Sequence, residues 1–61
     1  MDLNLEPNIA DPDGFYDELL AVHQGLSKEE SDALNARLIL ILANQVGDRE
    51  VLNAALKAAQ R

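Results

Sequence analysis

The sequence predicts an all-α fold of three short helices, over about 12–24, 28–46 and 49–60, in a compact antiparallel arrangement behind an extended N-terminal arm. Three observations carry this. Hydrophobic residues make up 48% of the 61-residue chain, yet it has one Phe, one Tyr and no Trp, so the core material is aliphatic and rich in Leu and Ala. Such side chains suit helix packing better than a pleated sheet. Helix start and stop signals recur through the chain, at Asp11-Pro12, Gly25, Ser27-Lys28-Glu29-Glu30 and Gly47-Asp48. Finally, Leu38-Ile39-Leu40-Ile41-Leu42-Ala43 is an unbroken apolar run. On a helix such a run is greasy around its whole circumference and calls for burial on every side.

Residues 1–10 form the arm and residues 11–61 the helical domain. The arm alternates polar and apolar residues from Asp2 to Glu6 and then meets Pro7 and Asn8. Alternation without a pairing strand reads as an extended segment that lies in a groove, with Leu3, Leu5 and Ile9 as anchors. At Asp11-Pro12 a carboxylate caps free amides, and the proline loses a hydrogen bond that its position never had. The first helix carries Phe15, Tyr16, Leu19, Leu20 and Val22 as its apolar stripe and ends at Gly25, a residue at ease in left-handed backbone. Ser27 and Glu30 match a capping box, which starts the second helix at Lys28. Gly47 ends that helix, and Asp48 caps a third built on Val51, Leu52, Ala55, Leu56 and Ala59. Connections this short make successive helices antiparallel neighbours, with the second helix central.

Charge narrows the function classes. The chain carries a formal net charge of −6, which opposes binding to a phosphate backbone. Eight of the acids fall in residues 1–30 against Lys28 alone, while residues 31–61 hold three acids and four bases. With no cysteine there is neither a disulfide nor a thiolate metal site. No basic segment followed by an apolar core opens the chain, and the apolar run is far shorter than the roughly 20 residues of a membrane span. A soluble, cytoplasmic protein without nucleic-acid or membrane partners is the expectation.

Candidate chemistry is sparse. His23 is the only histidine, and a zinc site needs further ligands converging on it. Packing near a helix end is its more ordinary role, with projection toward a partner as the functional alternative. Asp11, Asp13, Asp17 and Glu18 lack the spacing of a calcium loop, because Pro12 interrupts it. Acids at helix starts, with Lys57 and Arg61 at the last helix end, match helix dipoles. No paired carboxylates or nucleophile motif marks an enzyme, and no metal or cofactor is expected. Asn35, Arg37, Asn44 and Gln45 interrupt the second helix. A hairpin turning at Gly25 allows Tyr16 to stack on Arg37 or Asp17 to pair with it, although a solvated stripe is the more ordinary place for Arg37. Asn35 and Asn44 suit the register of a helix interface.

The block Leu34-Asn35-Ala36-Arg37-Leu38, continuing through Leu42-Ala43-Asn44 to Val46-Gly47-Asp48, with Tyr16, His23 and Leu26 upstream, resembles a bacterial family of proteins of about this length, domain of unknown function two-seven-eight-three. The resemblance spans nearly the whole chain. It implies a small companion of a larger catabolic enzyme, such as a flavin-dependent monooxygenase, and makes Tyr16, His23, Asn35, Arg37, Asn44 and Asp48 recognition or architectural residues. Similar chains carry His where this one has Gln45, which argues against metal or proton chemistry at that position.

The sequence therefore favours a non-catalytic accessory subunit that presents Leu3, Leu5, Tyr16, Leu20, His23, Asn35, Arg37, Ile39, Leu40 and Asn44 to a larger protein, for instance an oxidoreductase. Two alternatives use the same features. One is a homodimer that buries the apolar run across a two-fold axis, and the other an antitoxin-like regulator. The side of the second helix with Leu34, Leu38 and Ile41 is expected to face the first helix, leaving Ile39, Leu40 and Ala43 uncovered.

Overall fold

The computed structural model describes residues 3–60, so Met1 and Asp2 of the arm and the C-terminal Arg61 with its expected dipole role lie outside the described residues. Three helices follow one another: α1 (Pro12–His23), α2 (Lys28–Val46) and α3 (Arg49–Ala59). The all-α expectation holds, and each boundary has a local cause. Asp11 accepts a hydrogen bond from the Gly14 amide at 3.2 Å and starts α1. Ser27 Oγ accepts from the Glu30 amide at 3.2 Å while the Glu30 carboxylate accepts from the Ser27 amide at 2.9 Å, completing the capping box of α2. Asp48 Oδ1 accepts from the amides of Glu50 and Val51 at 2.8 and 3.2 Å, capping α3.

Two helix ends fall one residue early. α1 stops at His23 rather than Gln24. Gln24 sits at φ −63°, ψ 129° and Gly25 at φ 81°, and the Leu26 amide donates to the His23 carbonyl at 3.2 Å. These values define a type II turn with glycine at its third position. Gly25 thus serves the turn rather than a left-handed cap on the helix itself. α3 likewise stops at Ala59, with Gln60 extended. Gly47, at φ 75°, ends α2 as expected, its amide still donating to the Ala43 carbonyl at 2.9 Å.

The arrangement is more open than the compact packing the short connections suggested. Among the described residues none is buried, and the chain exposes 5602 Å². A folded monomer of this size exposes about 3,900 Å². The radius of gyration, 13.4 Å, exceeds the roughly 10.5 Å of a compact domain of this length. The physical reason is reach: α1 with 12 residues and α3 with 11 are each shorter than the 19-residue α2 and leave part of its apolar circumference uncovered. α2 and α3 pack together, while α1 stands looser. Half-buried positions show where cover exists. On α2 they are Ser31, Leu34, Leu38 and Ala43, on α1 Gly14, Leu19 and His23, on α3 Val51, Leu52, Ala54 and Ala55, between α2 and α3 Asp48, and in the arm Leu3.

Candidate functional site

Leu34 and Leu38, expected to lie covered against the first helix, are only half-buried, and Ile41 is exposed. Ser31, Leu34 and Leu38 share one face of α2 by their i, i+3, i+7 spacing. Ile41 lies at the edge of that face and is 58% exposed. α1 is tethered to the start of α2 by the turn at Gly25, and its 12 residues span about 18 Å, which reaches only the first two-thirds of α2. The C-terminal part of the apolar run is left to other cover.

That other cover is α3, and it is incomplete. Ile39, Leu42, Ala43 and Val46 form an i, i+3, i+4, i+7 stripe on α2, about a quarter-turn from the Leu34–Leu38 face. Leu52, Ala55, Leu56 and Ala59 repeat the same spacing on α3. The two quartets are mirror images in the chain about Arg49, and both line the same groove. Between them runs a groove of about 560 Å³, also lined by Asn53 and Arg49. Among the described residues Arg49 is the one charged residue on its wall. Ile39 and Leu56 on its rim are each 65% exposed. The sequence reading named Ile39 and Ala43 of this groove and missed Leu42, Val46, Leu52 and Leu56 as site residues. The signal lay in the α3 stripe, which reads as ordinary core in a chain assumed to close on itself.

The other expected site residues separate into groups. Leu40 is the most exposed apolar side chain of α2, at 71%, and Asn44, four residues on, is exposed beside it. Asn35 and Arg37 are also exposed, so their polar groups meet water and no buried amide needs a partner. Tyr16 and Leu20 are exposed on α1, and His23 is half-buried in line with Leu19. A shallow hollow lined by Asp17, Leu20, Ala21, His23 and Gln24 belongs to one helix and its end, so it encloses nothing. In the arm, Leu3 is half-buried, but Leu5 and Ile9 are exposed and do not anchor it. Instead, Asn4 Oδ1 accepts from the Glu6 amide at 2.9 Å in a local turn.

Electrostatics is equally local. The one ion pair among the described residues joins Lys28 to Asp32 at 2.7 Å, i to i+4 along α2, in place of the expected Asp17–Arg37 pair. A neighbour one helical turn away needs no tertiary docking to meet, whereas Asp17 and Arg37 require α1 to close on α2. Glu30 is held below the usual carboxylate range, chiefly by the Ser27 amide and then by the Ser27 hydroxyl. Among the described residues no three His, Asp or Glu side chains gather as a metal site. No described helix is long and apolar enough to cross a membrane.

Fold and surface together define a small three-helix protein whose apolar stripes outnumber the faces available to cover them. The chain belongs to the family described as Protein of unknown function (DUF2783), whose model matches residues 3–61. No curated protein and no solved structure matches it.

Proposed function

We propose that this chain is a non-catalytic accessory module of the cytoplasm that acts by docking on a larger protein and stabilising or positioning it. One observation carries the reading: among the described residues there is no buried side chain, while thirteen large hydrophobic residues are exposed. Single exposed hydrophobes are ordinary, but contiguous stripes of them mark sites of association. Covering several such side chains at roughly 1.5–3 kcal/mol each supports micromolar or tighter binding after the cost of association. The docking strip we assign comprises Leu40, Asn44 and Arg37 on α2 with Tyr16, Leu20 and His23 on α1. Its acidic surroundings suit a basic partner surface. A larger enzyme, with a flavin-dependent monooxygenase as the first candidate, is the partner that the sequence resemblance suggests.

The test is co-expression of the tagged chain with the products of its neighbouring genes, followed by purification on the tag. A stoichiometric complex that Leu40→Asp abolishes supports the reading. A chain that purifies alone, leaves its neighbour's stability unchanged and melts cooperatively as a monomer contradicts it.

A further inference from the structure

The Leu40 strip leaves the α2–α3 groove unclaimed, and this groove differs in kind from the rest of the surface. It is a concave wall built from two matching quartets, with Ala43, Ala55 and Ala59 small enough to admit close approach of another helix. We infer that its occupant is the same groove of a second copy, so that two α2–α3 hairpins close face to face around a two-fold axis into a four-helix core. The inference rests on the reading that the chain completes its core by association, and it names the first partner.

Surface area supports a second copy. Along the groove Ile39 and Leu56 are each 65% exposed and Leu42 and Val46 about half exposed, apolar area that the matching groove of a second copy would cover. Charge selects which half of the chain can meet itself. Residues 1–30 carry eight acids against Lys28, and two such halves brought together repel. Residues 31–61 hold three acids and four bases, so the half that bears the groove is nearly neutral and can pack on its own copy without that penalty. A two-fold contact demands one self-complementary patch, and Ile39, Leu42, Val46, Leu52 and Leu56 supply its apolar part, with Arg49 and Asn53 as the polar residues of the wall. α1 and the acidic arm then stay on the outside of the pair, free for a different partner.

Sedimentation of the full chain across about 100 to 1 μM tests this, beside Leu56→Asp in the groove and Leu40→Asp outside it. Twice the chain mass is expected for the parent and for Leu40→Asp, with the dissociation constant of Leu56→Asp raised at least about tenfold. A parent that stays at monomer mass throughout overturns the inference, as does a dimer lost in Leu40→Asp and kept in Leu56→Asp. Because Leu56→Asp can also loosen α3, a second measurement uses the unaltered chain: nuclear Overhauser effects filtered between labelled and unlabelled copies. Contacts from Leu56 to Ile39 or Leu42 of the other copy are expected, and intermolecular contacts confined to α1 overturn it. Capture of a larger protein by monomeric chain separates the outcomes, since it removes the homodimer and leaves the accessory reading intact.

Discussion

The Asp11 carboxylate, accepting from the Gly14 amide at 3.2 Å, occupies the space that a β-carbon on residue 14 would need. Asp11 itself stands in left-handed backbone at φ 48°, a conformation that short polar residues tolerate when a local hydrogen bond supports it. The pair is one device for starting α1. Replacing Gly14 by Ala within a helix normally adds about 1 kcal/mol of stability. Here the methyl group evicts the capping carboxylate, whose loss costs about the same. Gly14→Ala is therefore expected to leave the melting temperature unchanged or lower it, whereas Asp11→Asn, which keeps the cap and the backbone preference, is near neutral. Thermal melts followed by circular dichroism check both. A clear stabilisation by Gly14→Ala would show that the cap is idle.

Acid should weaken α2 through the capping box. Because Glu30 is held below its ordinary value in the folded chain, the unfolded chain binds more protons in the interval between the two values. The stabilisation is thus complete above the ordinary value of 4.5 and fades as pH falls through the lowered folded value. Glu30→Gln keeps an acceptor for the Ser27 amide but does not titrate, so its melting temperature is expected to lie below the parent's at neutral pH and to converge with it in acid. Parallel curves across the whole range would contradict this. Ser27→Ala, which removes the other half of the box, is expected to cost about 1 kcal/mol.

The bend between α2 and α3 is held by backbone conformation. At Gly47 a β-carbon would meet only the Asn44 carbonyl, at 3.9 Å, an ordinary contact. The cost of Gly47→Ala is then that of left-handed backbone, about 1–2 kcal/mol. Gly47→Asn is expected to recover part of it. Since the bend aligns the Leu42 and Leu56 stripes, Gly47→Ala should also weaken any association through the groove, which parallel melts and mass measurements resolve. An Ala variant that is as stable as the parent would mean the positive φ is not maintained in solution.

Raising salt separates the two kinds of surface. The groove wall is apolar apart from Arg49 and Asn53, whereas the surroundings of Tyr16 and Leu20 are acidic. Screening should slow capture of a basic partner at the α1 side while leaving groove-mediated association nearly unchanged. Stopped-flow association rates at low and high ionic strength measure this. Equal salt sensitivity of both would argue that the charge asymmetry has no steering role.

Helix boundaries were legible because Asp11, Ser27, Gly47 and Asp48 act within a few residues of themselves. The end of α1 was misplaced by one residue because Gly25 can serve a cap or a type II turn, and only the conformation of Gln24 decides between them. Packing was less legible. Periodicity marks Leu34, Leu38 and Ile41 as apolar positions, but whether Ile41 is covered depends on how far α1 reaches along α2, a matter of length and tether. Ile39 and Leu40 were readable as surplus because the run has no polar side. Leu52 and Leu56 were not, since their stripe has a polar back and looks like a satisfied core helix. The Lys28–Asp32 pair forms within one turn of α2, whereas an Asp17–Arg37 pair needs α1 to close on α2.

The central claim is that this chain finishes its core only in association, and the concentration dependence of its thermal unfolding tests that most directly. Binding partners that stabilise the folded form make the melting temperature depend on concentration. For the isolated chain we expect the midpoint to rise by several degrees over about a hundredfold increase in concentration, with a broad, weakly cooperative transition at the dilute end. A sharp transition with the same midpoint at every concentration, from a protein that sediments as a monomer throughout, would contradict the account.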